Sequence, residues 1–218
     1  MKDEVDGRRE IASRNTAWAN IIARKLTRWG ITPNQISMMS VFFALMGCVL
    51  LISTVIYPDF NKYVAYILFI ICMQSRLLCN LFDGMVAIEG GKKSANGDLY
   101  NDMPDRFADA LFIIPVGYVA GGFGIELGWL AALLAVMTAY FRWIGAYKTQ
   151  QHFFNGPMAK QHRMALLTFA FVVATCTLHW GYEQMVCLII LIVMNIGLIA
   201  TLIYRLYLMS HTSNHEIK

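Results

Sequence analysis

Six long apolar runs dominate this chain and restrict the environments in which it can fold. Taking about 20 mostly apolar residues per bilayer crossing, they fall at about Ile36–Tyr57, Tyr63–Asp83, Phe107–Gly122, Ile125–Ala146, Met164–Trp180 and Gln184–Met209. Inside hydrocarbon every backbone N–H and C=O needs a partner from the chain itself, which leaves helices or closed barrels. Unalternated runs of this length specify helices. The third and fifth runs are short, and the third is completed by the polar stretch Asn101–Arg106, facing the bundle interior. Composition agrees. Hydrophobic residues make up 57% and charged residues 15%, against roughly 45–50% and 25% in soluble domains. The expectation is one all-α polytopic membrane domain over residues 1–218, divided into a cytoplasmic or interfacial segment (1–30), a six-span bundle (31–209) and a frayed cytoplasmic tail (210–218). The first 30 residues are charged and hold no long apolar core, so no cleavable signal peptide is expected.

Ahead of the first run, Trp18, Ile21, Ile22, Leu26 and Trp29 recur at helical spacing among Arg14, Arg24, Lys25 and Arg28. The pattern predicts an amphipathic helix in the headgroup plane, with a helix packed on the cytoplasmic face as the alternative. Gly30 and Pro33 end it and turn the chain into the membrane. Seven of the 18 basic residues precede Ile31. Lys92, Lys93, Lys148, Lys160 and Arg163 lie in the second and fourth inter-span loops, and the odd-numbered loops hold only Lys62. This bias puts both termini and the longer loops in the cytoplasm. It also accounts for the net charge of +4 without nucleic acid as a partner. Cys48, Cys72, Cys79, Cys176 and Cys187 all lie in apolar segments and read as small core residues.

Against this background one segment stands apart. Between positions 83 and 109 lie six of the 14 acidic residues: Asp83, Glu89, Asp98, Asp102, Asp105 and Asp109. A carboxylate at membrane depth costs at least ~2.5–3.5 kcal/mol, so several together need cations or a polar cavity. Oxygen ligands in that number suit hard divalent ions such as Mg²⁺ or Mn²⁺; a solvated loop between two spans is the plainer reading. Asn80, Asp83, Gly84 and Ala87 share one face of a helix continuing the second span. The small Gly84 and Ala87 allow close approach of a ligand or a facing helix. Asp98, Asp102, Asp105 and Asp109 share a face of the returning segment. Pro104 interrupts that face, so either the helix kinks there or it begins there.

The spacing resembles the CDP-alcohol phosphotransferase family, whose pattern runs Asp-x2-Asp-Gly-x2-Ala-Arg-x8-Gly-x3-Asp-x3-Asp. Asp83, Gly84, Ala87, Gly97 and Asp105 match it without gaps, whereas Asn80, Ile88 and Asn101 replace an aspartate, the arginine and another aspartate. A one-turn slip would instead put Asp105 and Asp109 in the last two acidic positions and lose Gly97. The segment Thr32-Pro33-Asn34-Gln35-Ile36-Ser37 is similar to the family's opening motif, and the six-span layout covers most of the remainder.

The resemblance implies transfer of a phosphatidyl group from CDP-diacylglycerol to an alcohol, with release of CMP. It implies a divalent-metal site, Mg²⁺ or Mn²⁺ and two ions in the family, drawn from Asn80, Asp83, Asn101, Asp105, Asp102 and Asp109. Asp105 is the candidate general base. Asp83, Gly84, Ala87 and Gly97 would hold the CDP moiety, with Arg76 replacing the missing arginine at Ile88; an interfacial Arg76 paired to Asp83 is the alternative. Arg142, Lys160 and Arg163 are candidates for an acceptor phosphate, which makes glycerol 3-phosphate or another phosphorylated polyol the leading acceptor. For Lys160 and Arg163, topology-setting charge is the alternative. A homodimer in a bacterial inner membrane, with its active site facing the cytoplasm, completes the expectation. The three departures also motivate a rival, a non-catalytic relative that binds lipid or a partner.

Overall fold

The computed structural model describes residues 16–89, 97–149 and 155–216, apart from the side chains of residues 89, 97–102, 149 and 212–216. Among these residues there are seven α-helices and no strand: α1 (Ala17–Arg28), α2 (Pro33–Ile56), α3 (Lys62–Glu89), α4 (Gly97–Ala120), α5 (Gly124–Thr149), α6 (Lys160–Thr177) and α7 (Glu183–Glu216). Five of them, α2, α3, α5, α6 and α7, are long and apolar enough to cross a membrane. The sixth bundle helix, α4, has 24 residues, about 36 Å at the helical rise, against a hydrocarbon core of about 30 Å. Its acidic N-terminal turns set it apart in composition. The helices form a closed ring in the order α2, α3, α6, α7, α5 and α4, with α4 returning to α2 and also touching α7.

Local chemistry explains the entry to this ring. Thr32 caps α2: its hydroxyl accepts from the Gln35 amide at 3.3 Å, and the Gln35 side chain accepts from the Thr32 amide at 2.9 Å. Pro33 occupies the first turn, where its missing N–H costs nothing. Before that cap, α1 buries its small residues Ala19 and Ala23 against Leu81, Phe82, Met85 and Val86 of α3. Trp18 meets Phe82 edge-on at 6.1 Å. Ile21 and Trp29 stay 59% and 65% exposed, the outward apolar face that a helix lying against lipid requires.

The core runs along the ring's interior. Phe69 of α3 packs on Phe112 of α4 and Phe171 of α6, with centroids at 5.5 and 4.4 Å, and Tyr66 joins Phe171 at 5.1 Å. On the far side α4 and α5 cross closely: a Cβ at Gly128 would lie 3.0 Å from the Gly117 Cα. All five cysteines are free.

Three boundaries bear on the sequence expectation. Helix α4 begins at Gly97 and continues through Pro104, so the version in which the helix starts at the proline does not hold. As expected, helix α3 continues the second span past Asp83, to Glu89, and carries the first part of the acidic motif. Helix α7 continues to Glu216 rather than fraying after Met209, because no glycine or proline follows Gly197 to stop it. Gly90, Gly91, Lys92 and Lys93 lie outside the described residues.

Candidate active site

One stripe of α3 sets the site. Tyr66, Phe69, Met73, Arg76, Asn80 and Asp83 succeed one another at offsets of three or four and so face the interior together. The first three are apolar and fully buried; from Arg76 onwards the same stripe turns polar. Helix α4 runs antiparallel to it, so the polar end of α4 (Asp105, Asp109) meets the polar end of α3. Helix α6 brings Lys160 and Arg163 to the same level.

The result is an alternating chain of charge. Arg76, fully buried, donates through Nη2 to Asp105 Oδ1 at 3.1 Å and to Asp109 Oδ1 at 3.0 Å. Arg163, 2% exposed, donates to Asp109 Oδ2 at 2.5 Å and to the Met158 carbonyl at 3.0 Å. Lys160 Nζ donates to Asp105 Oδ2. Asn80 lines the same cavity as Asp105. Asp83 stands beside this chain, its Oδ2 accepting from Ser37 Oγ at 3.2 Å and its Oδ1 from the Gly84 amide at 2.5 Å. Burying ions this deeply is tolerable because each carboxylate and each cation in the chain has an opposite partner.

Beside the ion chain lies a cavity of about 780 Å³, whose lining includes Asn80, Asp105, Arg142, Lys160, Arg163 and Arg205. Thr138 links the basic side: its hydroxyl accepts from Arg163 Nη1 at 3.4 Å, and its carbonyl accepts from Arg205 Nη1. The Met158 amide donates to Thr201 at 2.9 Å. This holds the segment before α6 against α7, where a Cβ at Gly156 (φ 143°) would come within 2.4 Å of Thr201.

The expected site residues therefore separate into groups. Asn80, Asp105, Arg142, Lys160 and Arg163 border one cavity. Asp83 and Asp109 are buried behind it at 3% and 1% exposure, Gly84 is buried, and Ala87 is half-buried. Arg76 departs from the expected phosphate-facing role and from the alternative pairing with Asp83. It has no exposed surface and holds Asp105 and Asp109 together instead. Arg163 is likewise spent largely on Asp109. Gly97 lies on the first turn of α4, and the side chains of Asn101 and Asp102 lie outside the described residues. Sequence reasoning missed Arg205 and Thr138. The available signal was a lone arginine inside the last apolar run, since an intramembrane cation needs an interior partner.

The expected two-ion metal centre fits the described residues poorly. All six carboxylate oxygens of Asp83, Asp105 and Asp109 already accept a hydrogen bond, four of them from cationic side chains. Among the described residues no three His, Cys, Asp or Glu side chains gather as ligands.

Comparison with known proteins bears on this arrangement. Solved structures of Mycobacterium tuberculosis phosphatidylinositol phosphate synthase (PgsA1) share the fold. The complex with manganese and citrate superposes with a TM-score of 0.72 at 14% identity, covering 88% of each chain. The complex with CDP-DAG bound gives 0.73 at 14% identity, covering 89% of this chain and 94% of that one. No curated protein sequence matches. The sequence profile of the CDP-alcohol phosphatidyltransferase family matches residues 30–204, so this chain, with its acidic motif on α3 and α4 beside a basic-walled cavity, belongs to that family.

Proposed function

We propose that the chain transfers a phosphatidyl group from CDP-diacylglycerol to a phosphorylated alcohol, glycerol 3-phosphate being the leading acceptor, and releases CMP. The observation that carries this reading is the cavity itself. Asp105 and its partner Lys160 line a cavity of about 780 Å³ together with Arg142 and Arg205, and a hydroxyl joined to a phosphate fits between such groups. Family membership and the CDP-DAG bound by the PgsA1 neighbour support the donor.

The acceptor phosphate is held by Arg142, whose guanidinium suits bidentate contacts with its oxygens, while Arg205, anchored on the Thr138 and Asn155 carbonyls, adds positive charge at the cavity lining. Its hydroxyl points at Asp105. The hydroxyl oxygen attacks the phosphorus that carries diacylglycerol, the bond from that phosphorus to the CMP oxygen breaks, and CMP leaves. The hydroxyl proton passes to Asp105. Lys160, beside Asp105, stabilises the negative charge that develops on the phosphoryl oxygens. Arg163 and Arg76 hold Asp109 and Asp105 in register, and Gly84 and Ala87 leave room for the nucleotide. The neighbour's manganese makes a divalent ion the family expectation. The described donor set does not fit two such ions, and no step here is routed through one.

A cavity open to the cytoplasm, both termini on that side, a bacterial inner membrane and a homodimer complete the proposal, with the Lys and Arg bias supporting the orientation. A second reading, a non-catalytic lipid- or partner-binding relative, is favoured by the complete hydrogen bonding of the three carboxylates. Purified protein given CDP-diacylglycerol and a panel of alcohols decides between them. CMP release fastest with glycerol 3-phosphate or a similar phosphorylated polyol is expected. Release only with unphosphorylated alcohols such as serine would overturn the acceptor class, and no release with any alcohol would favour the second reading.

A further inference from the structure

We infer that this chain carries its own cation where an ion against Asp105 would sit: the Lys160 ammonium replaces a bound divalent metal. The inference rests on the family reading of the site but not on turnover. Three observations carry it. The ammonium contacts Asp105 Oδ2 directly, while Arg76 takes Oδ1, so both oxygens of the carboxylate are committed to positive charge. The two carboxylates Asp105 and Asp109 are met by three cations, Arg76, Lys160 and Arg163. In addition, the motif carries neutral asparagine at positions 80 and 101, where the family pattern has acids, and Asn80 lines the cavity beside Asp105.

The physics follows from charge. A divalent ion binds where carboxylates hold uncompensated negative charge. An ammonium in contact with Asp105 repels that ion and occupies its space. The two acid-to-amide replacements in the motif and the Lys160 ammonium all lower the negative charge that an ion would meet. Lys160 suits the task as a compact point charge on a flexible stem, placed on the first turn of α6. Arg76 and Arg163 are buried beneath it and fix the carboxylates it meets.

The test is Mn²⁺ binding to purified full-length protein in detergent, followed by electron paramagnetic resonance. Wild type is expected to bind at most one Mn²⁺. Lys160→Gln is expected to bind one more, or to bind it at least about tenfold more tightly, since a full charge a few Å from the ion is removed. Lys160→Arg keeps the charge and should bind like wild type. Two tight Mn²⁺ ions in wild type, or no gain in a folded Lys160→Gln protein, would overturn the inference. Should Lys160→Gln fail to fold, Asp105→Asn decides: wild-type Mn²⁺ binding retained supports the inference, and binding lost shows that Asp105 is a metal ligand. CMP release is assayed separately, so a failure here leaves the transferase reading standing, and an inactive protein leaves the metal result standing.

Discussion

Two halves of the same three helices solve opposite problems. In one half, Tyr66 and Phe69 of α3, Phe112 of α4 and Phe171 of α6 close the bundle with aromatic contacts and no charge. In the other half, the same interior stripes carry Arg76, Asp105, Asp109, Lys160 and Arg163, closed by ion pairs. The apolar half keeps its shape by packing that tolerates some adjustment. The polar half keeps its shape only while every charge has its partner, because a lone buried ion is far costlier than a cavity. Stability in the second half is thus tied to the same groups that serve chemistry.

The widest gap between the halves should appear in activity. Asp105→Asn is expected to lower CMP release by roughly 10²–10⁴-fold, the scale of lost general-base catalysis, with inserted protein still detectable. Loss of Phe69 in the other half should act through stability and leave the acceptor KM of the folded fraction unchanged. Next in size is the ion chain itself. Arg76→Met leaves two buried carboxylates short of a cation and should cost about 3–5 kcal/mol, read as thermal unfolding in detergent. Replacing a whole pair, Arg163→Met with Asp109→Leu, should cost clearly less than either single change. If the double variant is instead the sum of the singles, these charges are not coupled and the contrast between the halves fails.

How far the sequence foretold each half follows from the same physics. Helical spacing and apolar length are local properties, so six bundle helices, the amphipathic α1 and the interior face of Asn80 and Asp83 could be read directly. Partnership is not local. Arg76 finds Asp105 and Asp109 on the next helix, and Arg163 reaches Asp109 across 54 positions. Nothing in the period of α3 distinguishes an arginine facing a nucleotide from one holding two aspartates. Pro104 left two versions open in the sequence, a helix passing through it or one starting there, and α4 passes through it. Arg205 escaped because its partners, the Thr138 and Asn155 carbonyls, lie far from it in sequence.

Smaller effects sharpen the contrast. Arg142→Ala should raise the acceptor's KM roughly tenfold or more, the size of one lost charge-assisted hydrogen bond, with the donor's KM nearly unchanged. Arg142→Lys should recover only part of that loss, because it keeps the charge without the fork. Equal changes in both constants would remove Arg142 from the acceptor side. In the apolar half, Gly128→Ala forces α4 and α5 apart at Gly117 and should cost about 1–3 kcal/mol, with no change in either KM. A KM effect there would mean that the two halves are mechanically linked.

The phosphatidyl product itself is the most direct readout of the polar half. Wild-type and Asp105→Asn protein, each given CDP-diacylglycerol and glycerol 3-phosphate, would be followed by mass spectrometry for the phosphatidylated acceptor and CMP. Equal amounts of the two products from wild type, with both nearly abolished in Asp105→Asn, is the expected result. Wild-type protein that binds CDP-diacylglycerol yet forms neither product with any alcohol would contradict it and identify a lipid-binding relative whose charges serve only to hold the bundle together.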